Sequence, residues 1–118
     1  MTDPKTLGIP NINFSIYGDD KREERFLKQR LERGFDESET WCLYSTISKF
    51  ILPRLKAFKD STIAYPPELT VEEWNTILDK MIRSFEISSD SDFMTEDQSD
   101  EFREGFNLFN EYFFALWW

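Results

Sequence analysis

Between Leu43 and Trp117 the bulky apolar side chains return every three or four residues in three successive stretches, a spacing that fits helices and not strands. The clearest stretch runs from Leu69 to Phe85, where Val71, Trp74, Ile77, Leu78, Met81, Ile82 and Phe85 form one stripe. Thr70 and Glu73 have capping-box spacing: a threonine hydroxyl at the N-cap accepts the N3 amide, and the N3 glutamate reaches back to the cap amide. Leu69 and Trp74 flank the box as a hydrophobic staple. A second stripe, Leu43, Ile47, Phe50, Ile51, Leu55 and Phe58, follows Asp36 and Glu39, an acidic version of the same box. Pro53 lies within it and withholds the N–H that the Lys49 carbonyl would accept, which predicts a kink or restart. The third stripe, Phe102, Phe106, Phe109, Phe113 and Leu116 or Trp117, has Gly105 at its edge, where a neighbouring helix can approach closely.

The remaining segments read differently. Pro4, Gly8, Pro10 and Gly18 punctuate residues 1–18, leaving an irregular arm with one short extended piece at Ile12, Phe14 and Ile16. From Asp19 a charged helix carries Phe26, Leu27, Arg30 and Leu31 and stops at Gly34. The Pro66-Pro67 connection is too poor in donors to be helical, and the acidic run after Ile87 has no period. The expected fold is therefore all-α: a single-domain bundle of about four helices over residues 19–118, at 20–33, 37–59, 70–87 and 96–117, with the arm attached. Trp41, Phe50, Leu55, Trp74, Leu78, Met81, Phe85, Phe106, Phe109 and Phe113 are the expected core.

Composition narrows the chemistry. With no histidine and the single cysteine Cys42, the chain has no Ser/His or Cys/His pair and no zinc ligand set of the Cys/His type. A formal net charge of -9 disfavours direct nucleic-acid or anionic-membrane binding, both of which need surplus lysine and arginine. No apolar run is long enough to span a bilayer, and the first residues lack a basic-then-apolar leader, so a cytoplasmic protein is expected. Asp90, Asp92 and Glu101 occupy positions 1, 3 and 12 of a calcium loop, but Met94 and Thr95 stand where the loop needs an oxygen ligand and a glycine, so no metal and no cofactor are expected.

Two constellations suit binding. In the first, Arg54 falls inside the apolar arc between Phe50 and Phe58, where a guanidinium must find a partner. An internal acid, Asp79 or Glu86, is one answer; an anion is the other. Arg54, Lys49, Trp41 and Tyr44 are then the ligand-binding candidates for a nucleotide, against the plainer reading of a solvated basic face. In the second, the last helix has Leu108, Phe114 and Trp118 pointing away from its stripe, so it is either central or leaves an apolar patch for a partner or for a second copy. Asp97, Asp100 and Glu101 add an acidic face, and with Phe114 and Trp118 they are the partner-binding candidates.

Arg33-Gly34-Phe35, Trp41, the Ile47 to Leu55 helix, Tyr65-Pro66, Glu73-Trp74, Ile77-Leu78, Phe85-Glu86 and the ending Phe109, Tyr112-Phe113, Leu116-Trp117 together resemble a widespread family of small proteins encoded by tailed bacteriophages. The resemblance spans about residues 33–117, with Ala64 and Tyr44 where members often have glycine and aspartate. No reaction, cofactor or catalytic residue attaches to that family. The resemblance implies a non-enzymatic accessory factor in the infected cell, directed at a host protein such as a nucleic-acid-binding or immune effector. A binder that sequesters a nucleotide immune signal is the alternative.

Overall fold

The computed structural model describes residues 22–90 and 94–117. The arm at 1–18, Asp92 and Trp118 lie outside the described residues. Four α-helices follow in order: α1 Glu23–Arg33, α2 Leu43–Ser61, α3 Val71–Asp90 and α4 Glu96–Glu111, with short 3-10 turns at Glu37–Thr40 and Phe113–Ala115. There is no strand among the described residues, and the fold is an all-α helical bundle. The described residues divide into two compact units, one ending at Ile47 and one beginning at Ser48.

In the first unit, α1 closes at Gly34, whose φ of 86° is the left-handed C-cap and whose N–H reaches the Arg30 carbonyl at 2.9 Å. The acidic capping box forms, but it opens the 3-10 turn rather than α2. Asp36 accepts the Ser38 amide at 2.8 Å, and Glu39 accepts the Asp36 amide at 2.6 Å. Helix α2 starts only after Cys42, which sits at φ 47° in the left-handed region that few residues other than glycine adopt. Phe26, fully buried, meets the edge of the Trp41 ring at 5.7 Å, with Arg22 over Trp41 and Arg25 over Phe26. Trp41 itself stays exposed.

The buried arginine is Arg30, in this unit, and not Arg54 of α2. Only 4% exposed, it donates to Glu23 at 2.5 Å and to Asp36, which is itself fully buried and also holds the Ser38 hydroxyl. Glu23 and Arg30 are seven residues apart, two helical turns, and so lie on one face of α1. Burial works to lower the Arg30 pKa, but the hydrogen bonds to Glu23 and Asp36 and the charges of both acids outweigh it and hold it above its ordinary value.

The second unit is built around α3. Leu55, Trp74, Leu78, Met81 and Phe85 form the buried cluster, with Ile51, Leu52, Phe58, Leu69, Leu108, Phe109, Tyr112 and Leu116 packed on it. The Thr70–Glu73 box forms as expected, at 2.9 and 3.1 Å. Lys80 pairs with Glu104 at 2.5 Å, Arg83 with Glu101 at 2.9 Å, and the Ser84 hydroxyl donates to the Phe102 carbonyl at 2.8 Å. These pairings run in opposite order along the two helices, so α3 and α4 are antiparallel. Lys59 with Asp79 and Ser48 with Ser88 set α2 antiparallel to α3 in the same way. Gly105 is where α3 and α4 touch: a Cβ there would lie 2.1 Å from the Lys80 carbonyl oxygen and 2.6 Å from the Ser84 Cβ.

That contact corrects the expected core. With Gly105 against α3, the row facing inward is Gly105, Leu108, Phe109 and Tyr112, so Phe106 and Phe113 are turned to the flank and exposed. Helix α2 is rotated likewise: Ile51, Leu52 and Leu55 face in, while Phe50 is 43% exposed. Arg54 consequently lies on the surface, its guanidinium 3.8 Å from the Phe50 ring centroid and donating to the Phe50 carbonyl. Neither Asp79 nor Glu86 is its partner; Asp79 pairs with Lys59. Helix α2 runs through Pro53 as one element.

Candidate functional site

A groove of about 520 Å³ opens on the second unit between the α2–α3 connection and the turns that follow α4. Local sequence chemistry shapes one wall. Helix α2 ends as the Thr62 amide bonds the Phe58 carbonyl and the Thr62 hydroxyl bonds the Ala64 carbonyl at 3.0 Å. Pro66 to Leu69 then form a β-turn closed by the Leu69 amide on the Pro66 carbonyl at 3.0 Å, with Pro67 at the position where a fixed φ suits the turn. This sets Tyr65, the two prolines and Glu68 along the groove, and the proline rings keep the wall stiff.

The opposite wall comes from the end of α4. The Tyr112 amide still reaches Leu108 at 2.9 Å, but its own backbone has left the helix, and a tighter turn follows through Ala115 on Tyr112 and Leu116 on Phe113. Tightening to three residues per turn divides the side chains. Leu116 and Ala115 pack on the core, whereas Phe114 is 91% and Trp117 74% exposed. Tyr112 joins the two environments: its ring meets buried Trp74 edge-on at 5.7 Å and also lines the groove.

The groove is electronegative as well as aromatic. Glu68 stands on one wall and Glu111 on the other, and no lysine or arginine is among the described residues that line it. The Tyr112 hydroxyl senses this field: partial burial first, then the charges of Glu111, Glu68 and Glu73, push its pKa above the ordinary tyrosine value. Exposed rings beside carboxylates can accept a cation on the ring face and an ion pair at the rim.

The anticipated binding residues are distributed differently. Phe114 belongs to the groove, and Trp118 lies outside the described residues. Asp97 and Asp100 are on the first turns of α4, at the other end of the helix from Phe114, and Glu101 is paired with Arg83. These acids and Phe114 therefore do not form one surface. In the nucleotide reading, Trp41 and Tyr44 belong to the first unit and Lys49 and Arg54 to the second. Among the described residues there is no group of three potential metal ligands and no helix long and apolar enough to cross a membrane.

Glu68, Glu111, Tyr65 and Trp117 were not legible as site residues. The signal was present as two aromatic-acidic strings, Tyr65-Pro66-Pro67-Glu68 and Glu111-Tyr112-Phe113-Phe114, but periodicity assigns no meeting between a loop and a helix end. Comparison of the chain with protein-family models, curated proteins and solved structures gives no match.

Proposed function

We propose that this chain is a non-enzymatic binding protein that holds and neutralises a host protein, an anti-defence inhibitor of the kind its resemblance to tailed-phage proteins suggests, and that it does so through an acidic and aromatic surface. The observation that carries the reading is the pairing of Phe114 and Trp117, 91% and 74% exposed, with Glu68 and Glu111 in one groove. Large rings held out in water beside the carboxylates of a concave surface lose unfavourable hydration when a partner covers them, which is the usual energetic core of an interface. The relevant acidic surface is then the groove rather than the start of α4. The nucleotide alternative has less support, because Arg54 is engaged with Phe50 on the surface and no basic residue is among the described residues that line the groove.

The test is affinity capture from host lysate with the tagged chain and with a Phe114→Ser/Trp117→Ser variant, read by quantitative mass spectrometry. A host protein retained in stoichiometric amount by the first and lost from the second is the expected result. Retention of the same proteins by both, or of none by either, overturns the reading.

A further inference from the structure

Resting on that reading, we infer that the groove between the Pro66-Pro67 turn and the end of α4 receives an extended, arginine- or lysine-bearing segment of the partner protein. Three observations fix the occupant. Among the described residues the rims carry Glu68 and Glu111 and no base, so charge complementarity calls for a cation. The exposed faces of Phe114 and Trp117 stand beside those carboxylates, and a guanidinium or ammonium can stack on a ring while its hydrogens reach a carboxylate. The groove is open and bounded by a proline turn and a helix end, a shape that admits an extended chain and in which aromatic and proline walls suit an extended peptide backbone. The raised pKa of Tyr112 agrees with the same negative field.

The groove is thus a recognition site for basic peptide, and a host surface that binds nucleic acid would present such segments. The arginine fork can bridge the rim acids and lie flat on a ring at once, so arginine is preferred to lysine.

Fluorescence anisotropy with a labelled alanine–proline peptide carrying two arginines, compared with its lysine, citrulline and glutamate counterparts, tests this directly. Saturable binding of the arginine peptide, with the citrulline and glutamate peptides weaker by about tenfold or more, is expected. Equal binding of the citrulline peptide, or no saturation of the arginine peptide below about 1 mM, overturns the inference. Glu68→Gln/Glu111→Gln and, separately, Phe114→Ser should each weaken the arginine peptide by about tenfold. Asp97→Asn/Asp100→Asn should leave it unchanged, and far-UV circular dichroism should show all variants folded, since the substituted side chains are exposed. Competition by spermidine as strong as that of unlabelled peptide would assign the groove to a free organic cation and overturn the choice of a protein segment. Lysate capture separates the two levels. If Glu68→Gln/Glu111→Gln abolishes peptide binding yet keeps the host protein, this inference fails and the proposed function stands. If the peptides bind as expected and no host protein is retained, the host-protein reading fails and the groove's preference for basic peptide stands.

Discussion

The two units of this small chain solve the same problem with opposite materials. The first buries Phe26 beside Arg30, Asp36, Ser38 and Glu39, so much of its interior is a charge and hydrogen-bond network. The second buries Leu55, Trp74, Leu78, Met81 and Phe85 and places its ion pairs outside, on partly exposed side chains. The difference predicts different failure modes. An apolar core loses stability in proportion to the volume removed, whereas a buried ion network fails when one member leaves the others unpaired.

The largest effect is expected in the apolar core. Trp74→Ala should cost about 4 kcal/mol in urea unfolding of the second unit, the usual cost of truncating a fully buried aromatic. Next comes the polar interior, where Arg30→Met should cost about 3 kcal/mol by leaving Glu23 and Asp36 buried without a counter-charge. Adding Glu23→Leu to Arg30→Met should return part of that loss, and a double variant worse than the single would show that the network is not coupled as described. Gly105→Ala should cost about 2 kcal/mol, because the new methyl meets the Lys80 carbonyl and α3 and α4 must part. Lys59→Ala should cost less than about 0.5 kcal/mol, since the pair with Asp79 is partly solvated. If this surface pair proves worth more than Arg30, the contrast between the units is wrong.

A pH experiment sharpens the same contrast from the groove side. The folded pKa of Tyr112 lies above its ordinary value of 10.0, so the folded chain holds that proton more tightly than the unfolded one. Its contribution to stability is complete below the unfolded value and is lost as pH rises through the folded value. Urea midpoints should fall across that alkaline window, and Tyr112→Phe should remove part of the slope. Arg30, also raised, stays charged throughout and adds nothing to it.

Much of the local architecture was readable from residue order. Thr70 with Glu73 starts α3 and Gly34 stops α1 as the residues predict, while Asp36 with Glu39 forms its box on the 3-10 turn ahead of α2. Gly105 is the close helix contact its missing Cβ allows. The errors came one level up. On α4 the row that meets α3 lies one position from the apolar stripe, since its four phenylalanines look like a core face until Gly105 shows which row makes the contact. The same rotation on α2 turns Phe50 outward and takes Arg54 with it, while Arg30, spaced with Phe26, Leu27 and Leu31 along α1, is the buried arginine.

Sequence alone determined the all-α class, the number of helices, the limits of α3 to within a few residues and the capping boxes as local motifs. Those properties depend on neighbours within about four residues along the chain, where hydrogen-bond geometry and side-chain period act directly. Tertiary structure decided which charge is buried, which phenylalanines are covered, and that Glu68 and Glu111, far apart in the chain, face one groove. The reason is physical: periodicity gives a helix an apolar side, but only the neighbour that packs on it decides where that side ends.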